Sequence, residues 1–370
     1  MAAPPFAFII HPIDIKRHVA LKYPLLGRIL SERQINFFSR FWPPVYVSAI
    51  HGITSAATAT QLKGWFIAAP YTPPTMLRLP PNEVYNKLVA CGHMAERLGA
   101  QIMGLGAFTS VVGDAGATVA QRLDIPVTTG DSYTVYVAVE AVRQAAQEMG
   151  FALAGARVAV VGATGAIGAA ASQILAREAQ ELILIGRRSE AVAATREACE
   201  GLGARVRGST AITDIYPADV IISASSAVGP LIEPEHLKPG AVVLDVALPA
   251  DVSRRVWQER DDVLVVEGGM VEVPGAVDFG INFGLPPGKA YACMAETMAL
   301  ALEHRLEDYT IGRDLNPERI LEIGEIATRH GFFLSGLRNN NATLTDEQIA
   351  RVRDRAYHNR AQWRPATDTS

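Results

Sequence analysis

The chain has 370 residues, of which 49% are hydrophobic and 19% charged, with a formal net charge of −4. This length exceeds what one ordinary core needs, so it predicts two domains with a cleft between them, and the composition indicates a globular rather than a disordered protein. The weakly acidic balance gives no reason to expect nucleic acid as a partner.

In chain order, residues 1–131 are expected to form an α/β substrate-binding domain, although few strands can be recognised there. A helix is predicted over 132–149, within a connecting segment that spans 132–154. From Gly155 onward, short Val/Ile-rich runs alternate with Ala-rich helical runs, which is the rhythm of βαβ units. We therefore predict a Rossmann-type doubly wound parallel sheet over 155–275. Its strands are predicted at 157–161, 182–185, 205–207, 220–223, 242–246 and 263–266.

The chain becomes helical again after Pro286, Pro287 and Gly288. Residues 276–337 are therefore expected to form C-terminal helices that pack back on the first domain, among them a helix over 317–330. The remaining residues, 338–370, are polar and are expected to form a loosely organised tail from about Asn339.

A glycine-punctuated turn follows the first predicted strand of the sheet, in the run VAVVGATGAIG at 158–168. A buried strand, such a turn and an Ala-rich helix are the context that a dinucleotide-binding loop requires. Glycine at 162 permits the tight turn, glycine at 165 lets the backbone approach a pyrophosphate, and glycine at 168 lets the helix pack closely on the strand. The predicted cofactor-binding loop is Gly162, Ala163, Thr164, Gly165, Ala166, Ile167 and Gly168. The same turn explains the uncharged window at 158–176, so no membrane span is predicted.

The second predicted strand ends at Ile185 and is followed by Gly186, Arg187, Arg188 and Ser189, with no acidic residue. An NAD-binding site places an acid there to hold the ribose 2′-hydroxyl. Two guanidinium groups and a hydroxyl instead suit a 2′-phosphate. Arg187 and Arg188 are therefore predicted to bind the cofactor, and the cofactor is predicted to be NADP(H).

Three cysteines at wide spacing, Cys91, Cys199 and Cys293, argue against a disulfide scaffold and for a reducing compartment, so we expect a cytoplasmic protein. Cys293 is predicted to lie in the first turns of a helix, with Lys289 four residues earlier on the same face. Both features would lower the pKa of its thiol, and Glu296 would oppose them if it shared that face. The alternative is that Cys293 is a small core residue.

Basic residues concentrate in two stretches. The first holds Lys16, Arg17, Lys22, Arg28, Arg33 and Arg40 against the single acid Glu32, and the second holds Arg351, Arg353, Arg355, Arg360 and Arg364. Each stretch is either a solvated face or a docking patch for an acidic partner. The histidines, His51, His304 and His330 among them, show no metal-ligand spacing, so no metal site is predicted.

Several blocks of sequence, taken in order, resemble the cyanobacterial long-chain acyl-[acyl-carrier-protein] reductases over about residues 6–332. The blocks are LGAFTSVV at 105–112, TTG at 128–130, VAVVGATGAIG at 158–168, EGGMVE at 267–272, ACMAE at 292–296 and IGEIATRHGF at 323–332. The resemblance implies NADPH-dependent reduction of a long-chain fatty acyl thioester to a fatty aldehyde. It implies an acyl carrier protein or coenzyme A thioester as the substrate, and it leaves room for a downstream enzyme that consumes the aldehyde.

The resemblance also implies that Cys293 is the nucleophile, which accepts the acyl group as an enzyme-bound thioester before hydride transfer. A thiolate attacks a thioester readily, and the bound acyl group is then held in place for reduction. The oxyanion that forms needs hydrogen-bond donors. We predict Ser132 and Tyr133 as catalytic residues, with Thr109, Ser110, Thr129 and Tyr136 as further candidates. Asp131 departs from the family, where Asn is common, and an ionised carboxylate cannot donate a hydrogen bond.

Two other interpretations stay open from the residues. A shikimate-dehydrogenase-like enzyme would share this layout but would transfer hydride to an alcohol or ketone without covalent catalysis. It would need a Lys/Asp pair in the cleft, for which Lys63 and Lys87 are available. A non-catalytic NADP-binding sensor would keep the fold and use Cys293 for packing.

Overall fold

The computed structural model describes residues 2–361 apart from 13, 23, 228, 248, 340 and 341, and the side chains of 18, 20–22, 26 and 111 lie outside that description. The chain forms two compact units. The first comprises residues 1–133, 271–314 and 322–333, and the second comprises 134–270, 315–321 and the chain from 334 onward.

The described chain contains both strands and helices throughout its length. The strands are β1 (Phe6–Ile10), β2 (Val45–Thr54), β3 (Gln61–Ala68), β4 (Ile102–Leu105), β5 (Val127–Thr128), β6 (Arg157–Val161), β7 (Glu181–Ile185), β8 (Arg205–Ser209), β9 (Val220–Ser223), β10 (Val242–Asp245), β11 (Leu264–Glu267), β12 (Met270–Glu272), β13 (Gly275–Asp278), β14 (Lys289–Tyr291), β15 (Phe333–Leu334), β16 (Arg338–Asn339) and β17 (Ala342–Thr343). The α-helices are α1 (Ile15–Lys22), α2 (Pro24–Ile29), α3 (Glu32–Phe38), α4 (Pro73–Arg78), α5 (Pro81–Leu98), α6 (Phe108–Val111), α7 (Ala117–Ala120), α8 (Asp131–Glu148), α9 (Ala166–Leu175), α10 (Ser189–Cys199), α11 (Arg254–Glu259), α12 (Ala292–Leu302), α13 (Pro317–His330) and α14 (Asp346–Arg360). Short 3₁₀ helices lie at Ser39–Phe41, Leu153–Gly155, Ile212–Ile215 and Pro234–His236.

The first unit contains a six-stranded sheet in the order β13-β2-β3-β1-β4-β5. β1 is parallel to β3 and β4, β4 is parallel to β5, and β2 is antiparallel to β3 and β13. The strand β1 reads FAFII and is an unbroken apolar run, as expected for a strand that is covered on both faces. Because β4 and β5 are parallel neighbours, the segments that follow them leave the sheet at the same edge.

The helix α5 covers this sheet with one apolar face. Val84, Leu88, Cys91 and Ala95 are buried on it at helical spacing. The helix ends at Gly99, whose φ of +90° is the left-handed conformation common after a helix. These side chains belong to the same core as β1, so the sheet that positions the site described below is packed on a rigid helix.

The second unit contains a six-stranded sheet in the order β11-β10-β9-β6-β7-β8, with every neighbouring pair parallel. Counted from β6, this is the doubly wound strand order of a dinucleotide-binding sheet. The predicted fold class is confirmed. Each predicted strand of this sheet lies within two residues of an observed one. Five of the six strands are mostly buried apolar runs, whereas the edge strand β8 is partly exposed.

The C-terminal region is more ordered than the predicted loose polar tail. The 15-residue helix α14 occupies much of it. The hydroxyl of Thr345 accepts a hydrogen bond from the amide of Gln348, and the Gln348 side chain accepts one from the amide of Thr345. Ile349 and Ala356 are buried in the core of the second unit. The prediction of a loose tail is wrong for 346–360, because a capping box and two buried apolar residues stabilise a mostly polar helix. None of the helices in the described part of the chain is long and apolar enough to cross a membrane.

Candidate active site

Cys293 lies in the first turn of α12, two residues after the N-cap residue Tyr291. Its side chain is partly exposed, whereas Cys91 and Cys199 are fully buried. Backbone N–H groups at the start of a helix have no partner within the helix, so they are available to a side chain or ligand there. The most accessible cysteine of the chain therefore lies at a helix N-terminus.

Lys289 does not share that helix. It belongs to β14, and its Nζ lies 3.3 Å from Oε1 of Glu272. The helix starts only at Ala292, so the predicted pairing of Lys289 with Cys293 on one helical face is wrong. The sequence after Gly288 does not reveal that a short strand precedes this helix.

Two glycines pack directly against Cys293. A methyl group built on Gly130 would lie 2.3 Å from Cα and 2.4 Å from Cβ of Cys293. Gly130 has a φ of +79°, which a residue with a side chain rarely adopts. A methyl group on Gly106 would lie 3.6 Å from the sulfur of Cys293 and 2.5 Å from the ring of Phe8. The segments that follow β4 and β5 thus meet the start of α12 at the cysteine.

Glu296, one turn after Cys293 on α12, is fully buried and accepts four hydrogen bonds. The donors are the amides of Gly130 and Tyr133 and the hydroxyls of Thr128 and Thr310. The bond from the Tyr133 amide measures 2.8 Å and that from the Thr310 hydroxyl 2.7 Å. Burial raises the pKa of Glu296, and these four hydrogen bonds oppose that shift without reversing it. Glu296 therefore fixes the first turn of α8 beside the cysteine.

The surroundings raise the pKa of the Cys293 thiol to about 12, first by burial and then by the negative charges of Asp131 and Glu296. Hydrogen bonds from the backbone amides of Met294 and Ala107 oppose this shift. The prediction of a lowered thiol pKa is wrong, because burial and two carboxylates outweigh the favourable helix terminus. The backbone amides of Met294 and Ala107 are nevertheless placed to donate hydrogen bonds to a negatively charged sulfur.

The turn after β4 holds one of these amides in a strained conformation. Ala107 has φ +50° and ψ −127°, a region sparsely populated by residues with a side chain. The hydroxyl of Thr109 donates to the carbonyl of Gly106 at 2.8 Å and accepts from its amide at 2.9 Å. The hydroxyl of Ser110 donates to the carbonyl of Ala107 at 2.7 Å. Thr109 and Ser110 were predicted as candidate oxyanion donors, but in the structure their hydroxyls stabilise this turn.

The other predicted hydroxyl residues have different surroundings. Ser132 is buried, and its Oγ lies 2.8 Å from Oγ1 of Thr310. Tyr133 is buried, and its amide binds Glu296. Thr129 is buried, and its hydroxyl oxygen has no hydrogen-bond partner among the described residues. Tyr136 belongs to the second unit.

The predicted cofactor loop in the second unit has the geometry of a phosphate cradle. Gly162 has φ +79°, and a methyl group there would lie 2.7 Å from the carbonyl oxygen of Ala224. A methyl group on Gly168 would lie 2.3 Å from the carbonyl oxygen of Gly162, so α9 packs tightly on the turn. Gly165 is the N-cap of the 10-residue helix α9 and offers no side-chain cap. A pyrophosphate would fill this concave backbone, with the first amides of α9 pointing toward it.

Arg187 and Arg188 follow β7 and are exposed, and Arg188 is the N-cap of α10. No acidic residue lies between the end of β7 and Ser189, so the ribose 2′-hydroxyl of NAD has no carboxylate there. These residues fit a cofactor that carries a 2′-phosphate.

Sequence reasoning did not single out a polar network at the carboxyl edge of the second sheet. Asp251 accepts from the hydroxyls of Ser223 and Ser225 at 2.6 and 2.7 Å. Asp245, at the end of β10, accepts from two amides, and burial raises its pKa to about 6. The signal was present: β9 ends in Ser and β10 in Asp, and ligands of such sheets bind beyond the carboxyl ends of the strands.

The N-terminal basic stretch lies on exposed short helices. Lys16, Arg17, Arg28 and Arg33 are exposed, and Arg40 forms an ion pair of 2.8 Å with Glu83. The side chain of Lys22 and all of Arg364 lie outside the described residues. Within those residues, no cluster of three His, Cys, Asp or Glu side chains could hold a metal ion.

Comparisons with known proteins found similar families and chains. The family model for shikimate / quinate 5-dehydrogenase matches residues 143–267. Aminotransferase PigE from a Serratia species is 32% identical over 368 residues, which is 95% of this chain and 42% of PigE, so the chain spans less than half of that relative. Long-chain acyl-[acyl-carrier-protein] reductase from Synechococcus elongatus is 30% identical over 341 residues, which is 84% of this chain and 98% of that protein. Among solved structures, L-tryptophan dehydrogenase from Nostoc punctiforme aligns with a TM-score of 0.42 at 13% identity, covering 96% of this chain and 89% of that one.

The strand order, the glycine turn and the dehydrogenase family match define the class of protein, which is an oxidoreductase with a Rossmann fold and a nicotinamide dinucleotide site. The chain belongs to the family of the long-chain acyl-[acyl-carrier-protein] reductase, which it matches over nearly the full length of that protein.

Proposed function

We propose that this chain reduces a long-chain fatty acyl thioester to a fatty aldehyde with NADPH, through an acyl-enzyme on Cys293. The observation that carries the proposal is the convergence of three separate segments on the most accessible cysteine. The turn at 106–110, the segment at 128–133 and the start of α12 all meet there. The name of the Synechococcus relative supports the same reaction class.

In this reaction the chain's own residues hold and activate the sulfur. The amides of Ala107 and Met294 stabilise the charge on Cys293 when the thiol loses its proton. Glu296 anchors the first turn of α8, and Ser132 and Tyr133 belong to that anchored turn. Attack of the sulfur on the substrate carbonyl forms the bond between the acyl carbon and Cys293 and breaks the bond to the carrier sulfur, which leaves as a thiol with the proton that Cys293 has lost.

We propose that the cofactor binds to the second unit. The loop at 162–168 would bind the pyrophosphate, and Arg187 with Arg188 would bind the 2′-phosphate. When bound, NADPH supplies the hydride that converts the acyl group to the aldehyde. Release of the aldehyde returns Cys293 to its free form.

We propose an acyl carrier protein as the donor of the acyl group. The exposed residues Lys16, Arg17, Arg28 and Arg33 offer a basic surface to an acidic partner. The phosphopantetheine arm is common to coenzyme A, so a coenzyme A thioester carries the same reactive group. The basic surface formed by Lys16, Arg17, Arg28 and Arg33 favours the acyl carrier protein over coenzyme A as the donor.

The non-covalent alternative finds no support at its candidate lysines. Nζ of Lys87 donates to the backbone carbonyls of Arg40 and Trp42. Lys63 lies over the ring of Trp65, 5.1 Å from its centroid. Neither lysine forms an ion pair with an aspartate among the residues that the structure describes.

The direct test is Cys293→Ser, assayed for aldehyde formation and for NADPH binding. We expect aldehyde formation to be abolished and NADPH binding to be unchanged, because the cofactor loop lies in the other unit of the chain. Cys293→Ala, which removes the nucleophile without leaving a hydroxyl, is the companion variant. Turnover close to that of the unmodified protein in either variant would contradict the covalent mechanism.

A further inference from the structure

We propose that Asp251 is a positioning residue for the cofactor, because it holds the backbone after β9 that forms one wall of the dinucleotide crevice. The inference goes beyond the proposed function, since it concerns the nicotinamide half of the cofactor and not the acyl-enzyme. Asp251 is fully buried in the segment between β10 and α11. Neither the proposed acyl transfer nor the predicted cofactor loop uses its carboxyl group.

The strand order of the second unit locates the crevice. From β6 the chain adds β7 and β8 on one side of the sheet, and it then returns to add β9, β10 and β11 on the other side. Ligands of doubly wound sheets bind at the carboxyl edge where this order reverses, which is here between β6 and β9. Val161 and Ser223 are paired at the parallel ends of these two strands. The glycine turn at 162–168 and the segment after Ser223 therefore form the two walls of the crevice.

The two walls touch at their base. A methyl group built on Gly162 would lie 2.7 Å from the carbonyl oxygen of Ala224 and 2.9 Å from Cα of Ser225. The amide of Ala224 donates to the carbonyl of Val161 at 3.0 Å. These contacts join backbone to backbone, so no flexible side chain there can absorb a displacement of residues 224–225. The position of that segment therefore sets the shape of the crevice beside the glycine turn.

The carboxyl group of Asp251 fixes this segment with three hydrogen bonds. It accepts from the hydroxyl of Ser223 at 2.6 Å, from the hydroxyl of Ser225 at 2.7 Å and from the amide of Ser225 at 3.0 Å. Bonds to both the amide and the hydroxyl of one residue restrain its backbone and its side chain together. Asp251 is buried whereas Ala224 and Ser225 are partly exposed, so Asp251 acts on a ligand only through that segment.

The two sides of the sheet face different halves of the dinucleotide. Arg187 and Arg188 follow β7, on one side of the glycine turn, and fit the 2′-phosphate of the adenine half. The segment after β9 lies on the other side, where a dinucleotide whose pyrophosphate lies on the turn places its nicotinamide half. This half is the same in NADPH and NADH. Loss of the Asp251 anchor should therefore weaken both cofactors alike, unlike loss of the two arginines.

The experiment measures the Kd of NADPH, NADH and adenosine 2′-monophosphate for the unmodified protein and for Asp251→Asn. Fluorescence titration serves for the dinucleotides and ligand-observed NMR for the mononucleotide. The side-chain amide of Asn places a donor where the carboxyl group accepts, so it breaks the hold on Ser225. We expect Kd to rise about tenfold for both NADPH and NADH, with their ratio unchanged. Kd for adenosine 2′-monophosphate, which has neither pyrophosphate nor nicotinamide, should stay within about twofold.

Ser225→Ala removes one of the three hydrogen bonds and should raise both dinucleotide Kd values by about threefold, so it carries the test if Asp251→Asn does not fold. Asp219→Asn is the matched control, since it changes a hydrogen-bonded aspartate next to the amino end of β9 and should leave all three Kd values unchanged.

An unchanged Kd for NADPH in folded Asp251→Asn would overturn the inference, as would an unchanged value in Ser225→Ala if Asp251→Asn does not fold. An equal loss of adenosine 2′-monophosphate binding would also overturn it, because the variant would then disturb the whole sheet and not one wall of the crevice. These titrations use no acyl substrate, so their outcome is separate from that of the test of Cys293.

Discussion

Gly130 and Cys293 are in backbone contact: a methyl group on the glycine would lie 2.3 Å from Cα of the cysteine. The glycine has a left-handed φ of +79°, so both its conformation and its neighbour exclude a side chain. This contact connects the start of α8 to the start of α12. The position of Cys293 therefore depends on the absence of a side chain at Gly130.

The first prediction concerns that contact. Gly130→Ala should lower the free energy of unfolding by about 2–5 kcal/mol, because it adds a left-handed backbone penalty to a clash with fixed backbone atoms. It should also abolish acylation of Cys293. Urea unfolding and mass spectrometry after incubation with an acyl thioester measure the two effects. Gly155→Ala is the control, since no heavy atom lies within 4 Å of the added methyl group. A Gly130→Ala variant as stable and as easily acylated as the original protein would show that the contact is unimportant.

The second prediction concerns the buried carboxylate. Glu296→Ala leaves four donors without their acceptor in a buried site, and we expect a loss of roughly 3–5 kcal/mol in unfolding free energy. Glu296→Gln keeps one acceptor oxygen and should lose less. Chemical denaturation measures the loss of unfolding free energy in each variant. Glu325→Ala, at an exposed position, is the control and should lose almost none. The reverse order for Ala and Gln would contradict the role of Glu296 as an acceptor.

The third prediction concerns cofactor choice. Replacing Arg187 and Arg188 by Ala should weaken NADPH binding by about ten- to a hundred-fold and leave NADH binding nearly unchanged, because only NADPH carries the 2′-phosphate. Fluorescence titration with both cofactors measures the ratio of the two Kd values. Arg205→Ala, at the amino end of β8 and away from the cofactor edge, is the matched control. Equal losses for NADPH and NADH would show that these arginines do not read the 2′-phosphate.

The fourth prediction concerns the basic surface. Charge reversal at Lys16 and Arg17 should raise KM for an acyl-[acyl-carrier-protein] substrate at low salt, because it removes attraction for an acidic partner. An acyl-pantetheine, which has neither the carrier nor its charge, should show an unchanged KM. The difference should shrink as salt is added. An unchanged KM for the carrier substrate at low salt would show that this basic stretch is a solvated face and not a docking patch.

The fifth prediction concerns stability and pH. The folded pKa of Asp131, about 7, lies above the ordinary value of 3.8, so the folded state holds the extra proton between these values. Its contribution to stability is present below about pH 4 and is lost as the pH rises through 7. Asp131→Asn should therefore gain stability relative to the original protein between pH 4.5 and pH 8, as measured by urea unfolding. A pH-independent difference would show that Asp131 titrates normally.

The Rossmann sheet could be predicted from the sequence because five of its six strands are mostly buried apolar runs and the first of them are separated by the Ala-rich helices α9 and α10. The sheet of the first unit could not, since β2 mixes polar and apolar residues and its pairing depends on distant partners. The same is true of the site. Glu296 is held by groups more than 160 residues away in sequence, such as Thr128 and Tyr133, which no local pattern reveals. Lys289 is predicted on the helix of Cys293 but belongs to β14, because the local sequence does not mark where that helix begins.

The most direct test of the central claim is mass spectrometry of the intact protein after incubation with a long-chain acyl thioester in the absence of NADPH, followed by peptide mapping. We predict an acyl adduct on Cys293, with none on Cys91 or Cys199, and its conversion to free aldehyde when NADPH is added. A protein that oxidises NADPH with this substrate but never carries the adduct would contradict the acyl-enzyme and favour direct hydride transfer.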